Sequence, residues 1–523
     1  MNMQKIKNLF RNYWFLTGVL MFIKLILHLL TNTNYELHRD EMLFFNQGDH
    51  LAWGNATVPP MIGFVSFLIK SVFGYSVFGI RLIPAILGTL SVYLIARIVH
   101  ELGGGIPALL IACTTYILSP GFLIFDTLYT VNVFDQFFWL LISYLFFRLI
   151  LTGNVKLWLW IGLLSGLAFL NKYLVVYLLA GFFIAIIITP KRKILFSKYF
   201  VFAVILGLVI ILPNIIWQYN HNWPIIFHVS ELKESQMANM TYRNYLADMF
   251  YLNGISTLIW FFGLISVLFF KTERKFRFIG IASVSVFFLF MFSNGKAYYN
   301  MGIIPFLYAL GAYTLEKYYR GVFRIFAISV VAASFLFSLI SLPFGLPVMS
   351  FGKLSHYSEK TGKFAFYPFL RWEDGKIHPV TQVYSDMTGW KELVSLVDTA
   401  YQQLPADERK NCTIYAERNY GYAGAVHFYG KSFHLPDAIT FLDSYVLWAP
   451  DTIAKGPVIY INYDIAGLDK LFGKCTVIGT VNNIYFRENG LKIFLCREPN
   501  DNLQPVYKQK AEEEKKVYCK HHI

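Results

Sequence analysis

The fold is indicated by residues 13–60, which read YWFLTGVLMFIKLILHLLTNTNYELHRDEMLFFNQGDHLAWGNATVPP. The stretch begins with an apolar run, Tyr13 to Leu30, which is about as long as a bilayer-crossing helix. The run is long for a signal peptide and has no small-residue cleavage site, so it predicts a retained membrane span. An Asp-Glu pair, a tryptophan and a Pro-Pro sequence follow directly where this span ends.

The composition of the whole chain extends this prediction. Of its 523 residues, 56% are hydrophobic and only 15% are charged, whereas a soluble protein carries about 25% charged residues. Apolar runs of roughly span length recur up to residue 343, so we expect a polytopic helical membrane protein. The net charge of +14 comes largely from Lys and Arg in short loops, as the positive-inside rule expects. The sequence therefore gives no reason to expect a nucleic-acid partner.

The loop charges also predict an orientation. Basic clusters near residues 5–11, 148–156, 191–198, 271–277 and 317–324 should be cytoplasmic. Residues 59–73 are few for a span, begin with Pro-Pro and contain Lys70, so they are expected to lie along the membrane surface. Eleven spans then follow, with the N-terminus inside and the C-terminus outside, near residues 13–31, 80–99, 106–123, 131–149, 157–171, 174–189, 199–217, 253–270, 276–293, 299–316 and 322–343.

This orientation places most of the unusual polar groups on the external side. The predicted external loops comprise residues 32–79, 124–130, 171–173, 218–252 and 294–298. The cytoplasmic loops are short and basic and leave little room for chemistry. We therefore expect a functional face outside the cytoplasm.

The composition changes near Leu346, where a small α/β domain is predicted. Alternating strands are expected at residues 412–417, 458–463 and 475–481, and apolar residues recur at helical spacing over 390–404. The predicted organisation is a transmembrane catalytic domain at 1–345, an extracytoplasmic α/β domain at 346–505, and a disordered charged tail at 506–523.

The five cysteines allow one structural expectation. Cys113 lies in a span and is expected to be an inert apolar residue. Cys412, Cys475 and Cys496 lie in the α/β region, and Cys519 lies in the tail. If that region is extracytoplasmic, one disulfide can form, but the spacing does not choose the pair. No Cys/His cluster has zinc-ligand spacing.

Acidic residues near the ends of predicted spans are the first candidates for a site. Asp40 and Glu41 follow the first span, where a carboxylate at the rim of an apolar cavity can bind a metal or act as a general base. Asp126, Asn132 and Asp135 lie at the outer entrance of the fourth span. An ionisable residue about one turn into a span is costly and indicates function. The alternative readings are solvated loop acids for the first pair and stabilisation of a helix N-terminus for Asp135.

Cations and aromatic residues on the same predicted side suggest phosphate binding. Lys172 with Tyr173, and Lys296 with Tyr298, occupy two outer turns, and lysine binds phosphate as a point charge. Snorkelling anchors are the alternative explanation. His221 and His228, in a Trp-rich segment, are weaker candidates for a metal or phosphate ligand, because interfacial aromatic belts are common.

An ordered series of short motifs resembles a known family. The series is RDE in the first loop, then PP, RLIPAILGTLSVYLIARIVHELGG, VNVFD, GLAFLNKY, PNIIWQYNHNWP and GKAYYN. It resembles glycosyltransferase family 39, which includes the lipid A aminoarabinose transferase and the protein O-mannosyltransferases, over residues 10–345. The DMTGWKELV and NYGYAGAVHFYG segments are similar to the extracytoplasmic domain of bacterial members.

The resemblance implies a GT-C fold and a reaction. Such enzymes transfer a sugar from a polyprenyl-phosphate donor to a glycan, lipid or protein acceptor on the outer face, usually with inversion. The family's proposed catalytic carboxylate corresponds to Asp40, with Glu41 beside it and Asp135 as the acidic residue of the fourth span. Lys172 and Lys296 are the candidates for holding the donor phosphate. A multi-pass location in a bacterial inner membrane is also implied.

The chain departs from the family at one place. Aminoarabinose transferases carry Glu-Lys just before Pro-Pro and other relatives carry Asp-His, whereas Thr57 and Val58 stand here. The contact made there is therefore missing or supplied from elsewhere. No metal site is carried over, although a divalent metal stays open as a cofactor.

Two other function classes compete with the transferase. A transporter or flippase for lipid-linked sugars would place its site near the bilayer midplane, often between internal repeats. The sequence has no convincing repeat, and its polar groups cluster at one rim. A receptor or assembly scaffold would leave the acids at that rim unexplained.

Overall fold

The structure is a computed structural model that describes residues 12–234, 241–318, 320–362, 367–465 and 467–518. The chain folds into two compact units. The first contains Met1–Asn32, Arg81–Pro213 and Glu231–Val348, and the second contains Thr33–Ile80, Asn214–Ser230 and Met349–Ile523, in their described parts. The division near residue 348 is close to the predicted change at 345, but the first loop groups with the C-terminal region.

Apolar helices dominate the part of the chain up to residue 345. Six helices in the described residues are long and apolar enough to cross a membrane, or seven if one bent pair counts as a single span. The helices with more than 20 residues are Val77–Leu102, Val131–Thr152, Lys198–Asn220 and Val322–Gly345. The shorter ones are Tyr13–Leu29, Ile106–Leu118, Pro120–Phe125, Leu157–Asn171, Val175–Ile188, Pro224–Leu232, Tyr242–Asn253, Thr257–Phe269, Arg277–Phe292 and Ile304–Lys317. These elements are consistent with the predicted spans, and the number eleven stays a prediction.

Tight packing in the first unit uses glycine at helix crossings. A Cβ added at Gly311 would lie 2.0 Å from the carbonyl oxygen of Ile259, and one at Gly162 would lie 2.4 Å from that of Ala203. Helix backbones can approach this closely in a membrane protein only where a side chain is absent.

The second unit contains a four-stranded mixed sheet, which includes strands at the three predicted places. Strands β1 (Thr413–Ala416), β2 (Val458–Asn462), β3 (Phe472–Thr480) and β4 (Lys492–Pro499) have the order β1-β2-β4-β3. Only β1 and β2 are parallel. The helices of this unit are Arg39–Asn46, Met61–Phe73, Phe351–Thr361, Tyr367–Leu370, Gln382–Ser385, Trp390–Gln402, Ala406–Arg409, Tyr420–Tyr429 and Leu503–Lys516.

The first loop folds onto the α/β region through a close helix crossing. Helix Arg39–Asn46 packs against helix Tyr420–Tyr429. A Cβ added at Gly421 would lie 2.9 Å from Cβ of Arg39, and one at Gly424 would lie 3.0 Å from Cβ of Met42. The two small residues of the NYGYAGA segment therefore let the RDE helix approach.

Three expectations about local structure need correction or completion. Residues 218–252, expected as a long loop, contain helices Pro224–Leu232 and Tyr242–Asn253. The expected disordered tail is helical over Leu503–Lys516, because Tyr507 and Ala511 are buried against apolar neighbours. The disulfide joins Cys475 and Cys496, which face each other on β3 and β4. Cys113 and Cys412 are free and buried, and Cys519 lies outside the described residues.

The segment after Pro-Pro is a single short helix, Met61–Phe73. Its 13 residues span about 20 Å at 1.5 Å per residue, which is less than the hydrocarbon thickness. Its large apolar side chains Phe64, Phe67 and Val72 are exposed. The length agrees with the predicted surface helix, and its placement at a membrane surface stays a prediction.

Candidate functional site

Asp40 and Glu41 lie in the first turn of helix Arg39–Asn46, and the local sequence explains why the helix begins there. Nδ1 of His38 accepts a hydrogen bond from the backbone N–H of Asp40 at 3.1 Å, and Oε2 of Glu41 accepts one from the N–H of His38 at 2.8 Å. This reciprocal arrangement is a capping box. The Glu41 side chain is buried, so the structure uses it to hold the turn that carries Asp40.

The Asp40 carboxylate keeps one oxygen directed away from its closest partner. The hydroxyl of Tyr420 donates to Oδ1 at 2.5 Å, and the Asp40 side chain is 34% exposed. Burial and the charge of Asp40 hold the pKa of Tyr420 well above its ordinary value, so this hydroxyl stays a donor. The guanidinium of Arg39 lies over the Tyr420 ring, 5.6 Å from its centroid. Asp40 can therefore interact with a solute while its neighbours fix its direction.

A second carboxylate, Asp386, lies behind Asp40. Its side chain is 2% exposed, and Oδ2 is 3.2 Å from Nη1 of Arg487, 3.6 Å from Nε of Arg39 and 3.6 Å from Nε2 of His38. Burial alone would raise the pKa of Asp386, but these cationic partners outweigh it and lower that pKa. Asp386 is thus a buried anion held by positive groups.

A further carboxylate, Asp443, contacts Thr57, at the place where the chain departs from the family that it resembles. The hydroxyl of Thr57 donates to the two carboxylate oxygens of Asp443 at 3.0 and 3.1 Å. Asp443 has φ of +51°, a left-handed conformation that aspartate tolerates better than most residues. The pKa of Asp443 is raised, mainly because the side chain is buried, and the charge of Asp40 adds to this effect. An acid absent from position 57 is therefore contributed by a residue far along the chain.

The first unit brings both candidate lysines to one aromatic ring. Nζ of Lys172 lies 5.4 Å and Nζ of Lys296 lies 6.0 Å from the ring centroid of Tyr298. Lys172 also donates to Oδ1 of Asn132 at 2.7 Å and lies 4.7 Å from the ring centroid of Tyr299. Two cations sharing one ring repel each other, and an anion between them would relieve that repulsion.

Asp135 and Asp126 have different surroundings in the same unit. Asp135 is 4% exposed, interacts with the charge of Lys172, and has an Oδ1 without a hydrogen-bond partner in the described residues. Oδ2 of Asp126 is 2.7 Å from Nζ of Lys24 and accepts a hydrogen bond from the Tyr116 hydroxyl at 3.0 Å. Asp126, expected as a ligand, is therefore occupied by a buried ion pair.

The remaining candidates have structural contacts. The ring of His221 stacks on that of Trp217 at 4.0 Å, and its Nδ1 lies 2.8 Å from the Trp217 carbonyl oxygen. Tyr173 packs edge-on against Phe169. Within the described ranges, no group of three or more His, Cys, Asp or Glu side chains has the arrangement of a metal site.

Sequence reasoning missed several residues of these clusters. Tyr420 and Asp386 lie in the NYGYAGAVHFYG and DMTGWKELV segments, which the resemblance noted without assigning them a role. His38 directly precedes the RDE sequence, and Lys24 interrupts the first apolar run. A charged residue inside a span was the available signal for Lys24, whereas nothing in the sequence pairs residues hundreds of positions apart.

Comparisons with known proteins show which proteins this chain resembles. The sequence profile of a family described as dolichyl-phosphate-mannose-protein mannosyltransferase matches residues 57–217. The lipid A galacturonosyltransferase RgtD of Rhizobium johnstonii is 29% identical over 195 residues, which are 37% of this chain and 41% of that protein. The matched part thus spans about two fifths of the length of this curated relative.

Solved structures show the same architecture. ArnT from Cupriavidus metallidurans bound to undecaprenyl phosphate has a TM-score of 0.62 at 13% identity, covering 91% of this chain and 97% of ArnT. The apo state of the same protein has a TM-score of 0.57 at 12% identity with the same coverage. At these identities the likeness shows the fold. The profile match, the curated relative and the shared fold together confirm the predicted resemblance: the chain is related to glycosyltransferase family 39 and has the GT-C fold.

Proposed function

We propose that this protein is an integral membrane glycosyltransferase that moves a sugar from a polyprenyl-phosphate donor to an acceptor on the extracytoplasmic side. The observation that carries the proposal is the contrast between two neighbouring carboxylates. Asp386 is 2% exposed and held by positive groups, whereas Asp40 is 34% exposed and has one oxygen fixed by Tyr420. Asp40 is thus prepared to accept a proton from a bound molecule.

The proposed reaction balances as an inverting displacement. Asp40 takes the proton of the acceptor hydroxyl, and the hydroxyl oxygen forms a bond to C1 of the sugar. The bond between C1 and the phosphate oxygen breaks from the opposite face, so polyprenyl phosphate leaves with the electron pair. General-base assistance of this kind is worth about 10²–10⁴ in rate.

The lysines of the first unit support a role for the donor phosphate. Lys172 and Lys296 would offset the charge that grows on the departing phosphate. Asn132 accepts from Lys172, and Asp135 interacts with its charge, so we assign these two residues to holding that ammonium in place. ArnT was solved with undecaprenyl phosphate bound, which favours a donor of this lipid class here.

An extracytoplasmic α/β region is also part of the proposal. The disulfide between Cys475 and Cys496 favours an oxidising compartment, because cytosolic proteins rarely keep one. The basic loop clusters give the same orientation. We place the protein in a plasma membrane, with the α/β region outside.

The proposal is tested in two steps. Envelope lipids and glycans from cells with and without the protein are compared by mass spectrometry for one lost increment of sugar mass. The purified full chain is then incubated with lipid extract from the deficient cells. A transferase restores the increment and releases polyprenyl phosphate in equal amount. A transporter of lipid-linked sugars would restore no increment and release no polyprenyl phosphate in detergent, which would reject the proposal.

A further inference from the structure

The imidazole of His38 lies between two carboxylates. Its Nε2 is 3.6 Å from Oδ2 of Asp386, and its Nδ1 is 3.8 Å from Oδ2 of Asp40. The His38 side chain is 10% exposed and that of Asp386 is 2% exposed. Each ring nitrogen therefore faces a different acid, one buried and one partly open to solvent.

The backbone fixes the tautomer of the neutral ring. The N–H of Asp40 can only donate, so the Nδ1 that accepts it at 3.1 Å carries no proton. The proton of neutral His38 is then on Nε2, on the side of Asp386. A carboxylate near that nitrogen stabilises this tautomer, as carboxylates do beside many functional histidines.

Protonation of His38 would change both of its contacts with Asp40. A proton on Nδ1 removes the acceptor that caps the Asp40 N–H, and the added positive charge lies next to Asp40 Oδ2. An imidazolium at that distance attracts the Asp40 carboxylate and competes with a bound acceptor hydroxyl for it. The neutral ring instead holds the turn and leaves the carboxylate free to act as a base.

We propose that Asp386 and His38 form a carboxylate–imidazole pair that positions Asp40, and that only the neutral form of His38 supports sugar transfer. This inference rests on the proposed role of Asp40 as the base. His38 acts through Asp40 and is a positioning residue.

The charges around His38 set the range in which it titrates. Burial lowers the pKa of His38, but Asp40 and Asp386 outweigh burial and the opposing charge of Arg39, so the pKa is raised above 6.5. Glu41 also faces the His38 backbone, and Arg487 neutralises part of Asp386. Because the pKa is raised, the inactive protonated form persists to higher pH than for an ordinary histidine.

The test measures the rate at which the purified full chain transfers the sugar, as a function of pH from about 5 to 9. Transfer is followed through the increment of sugar mass described above. For the wild type we expect the rate to fall about tenfold for each pH unit below the pKa of His38, as for one essential ionisation. His38→Asn should remove this limb and transfer sugar at a measurable rate that no longer depends on pH in this range, because asparagine caps a helix well but does not titrate. Asp386→Asn removes an anion that raises the pKa of His38, so its limb should move to lower pH.

A matched control uses another histidine of the same unit. His378 pairs with Asp374 at 2.9 Å outside this cluster, and His378→Asn should leave the pH profile unchanged. An unchanged limb in folded His38→Asn would overturn the inference, and so would loss of transfer at every pH. If that variant does not fold, the direction of the Asp386→Asn shift decides, and a shift to higher pH or no shift rejects the pair.

The two proposals fail in distinguishable ways. If Asp40→Asn transfers sugar at a near-normal rate, the proposed base is wrong, whatever the His38 variant does. If Asp40→Asn is inactive while His38→Asn keeps the limb, the base stands and only the carboxylate–imidazole pair is rejected.

Discussion

The buried pair of Lys24 and Asp126 gives a prediction that separates a structural role from a ligand role. Its side chains are 0% and 2% exposed, and Nζ lies 2.7 Å from Oδ2. Removing one partner of a buried ion pair leaves an uncompensated charge and costs about 3–5 kcal/mol. Lys24→Met and Asp126→Asn should each destabilise the protein by that amount.

The double variant is expected to recover most of this loss. With both charges absent, the amide oxygen introduced by Asp126→Asn can still accept the hydroxyl of Tyr116, which donates to Asp126 in the native chain. Replacing a buried pair by neutral groups of similar volume is often nearly neutral. The coupling between the two substitutions should therefore be about 3 kcal/mol or more.

The assay is the temperature at which the detergent-purified protein loses its monodisperse peak on size-exclusion chromatography. At about 2–4 °C per kcal/mol for large domains, each single variant, at a cost of about 3–5 kcal/mol, should lose roughly 6–20 °C. The exposed pair Lys455–Asp501, with a similar distance of 2.6 Å and side chains 57% and 94% exposed, is the matched control. Its single variants should leave this temperature nearly unchanged, because exposed ion pairs contribute little to stability.

Sugar transfer by the same variants completes the test. If the role of Asp126 is only to form the buried ion pair, the stable double variant should transfer sugar at a near wild-type rate. Additive losses of stability would refute the reasoning about the buried pair. A stable but inactive double variant would instead assign Asp126 to the substrate site.

Three further predictions concern the proposed chemistry. Asp40→Asn should lower the transfer rate by about 10²–10⁴ without changing the thermal midpoint. Lys172→Met and Lys296→Met should each weaken binding of undecaprenyl phosphate, measured by native mass spectrometry, by about tenfold to a hundredfold, since each removes one charge-assisted contact of about 1.5–3 kcal/mol. Replacing Cys475 and Cys496 together by alanine should lower the unfolding free energy by about 3 kcal/mol, because the bond closes a loop with a sequence separation of 21.

Each of these three predictions has a control or a result that would contradict it. Asp464→Asn removes an exposed carboxylate that pairs with Arg418 on the surface and should leave transfer unchanged. Unaltered binding of undecaprenyl phosphate to both lysine variants would reject the phosphate site. An alanine pair as stable as the wild type, or equal stability with and without reductant, would contradict the disulfide's contribution.

The local elements were predictable because their signals are local. An apolar run carries its transfer free energy in its own composition, so helices such as Val131–Thr152 follow from the residues alone. The strands near residues 413, 458 and 475 follow from alternation. The tail was predicted wrongly because its charges outnumber its apolar residues, and only the neighbours of Tyr507 and Ala511 show why that segment is helical.

The sequence singled out candidate residues in each unit, but it did not indicate the acids Asp386 and Asp443. Asp40, Asp135, Lys172 and Lys296 stand out because charges near predicted spans are costly. The contact of Tyr420 with Asp40 joins residues 380 positions apart, and no spacing rule indicates such a pair.

The sequence by itself therefore determined that this is a polytopic helical protein with acids and lysines near the ends of its spans, because hydrophobic transfer and charge cost depend on each segment alone. Only the tertiary structure decided which charges are buried with a partner, as Asp126 is with Lys24, and which side chains stay partly exposed, as that of Asp40 does. The physical reason is that a carboxylate's role depends on its burial and its partners, and both arise where distant segments pack together.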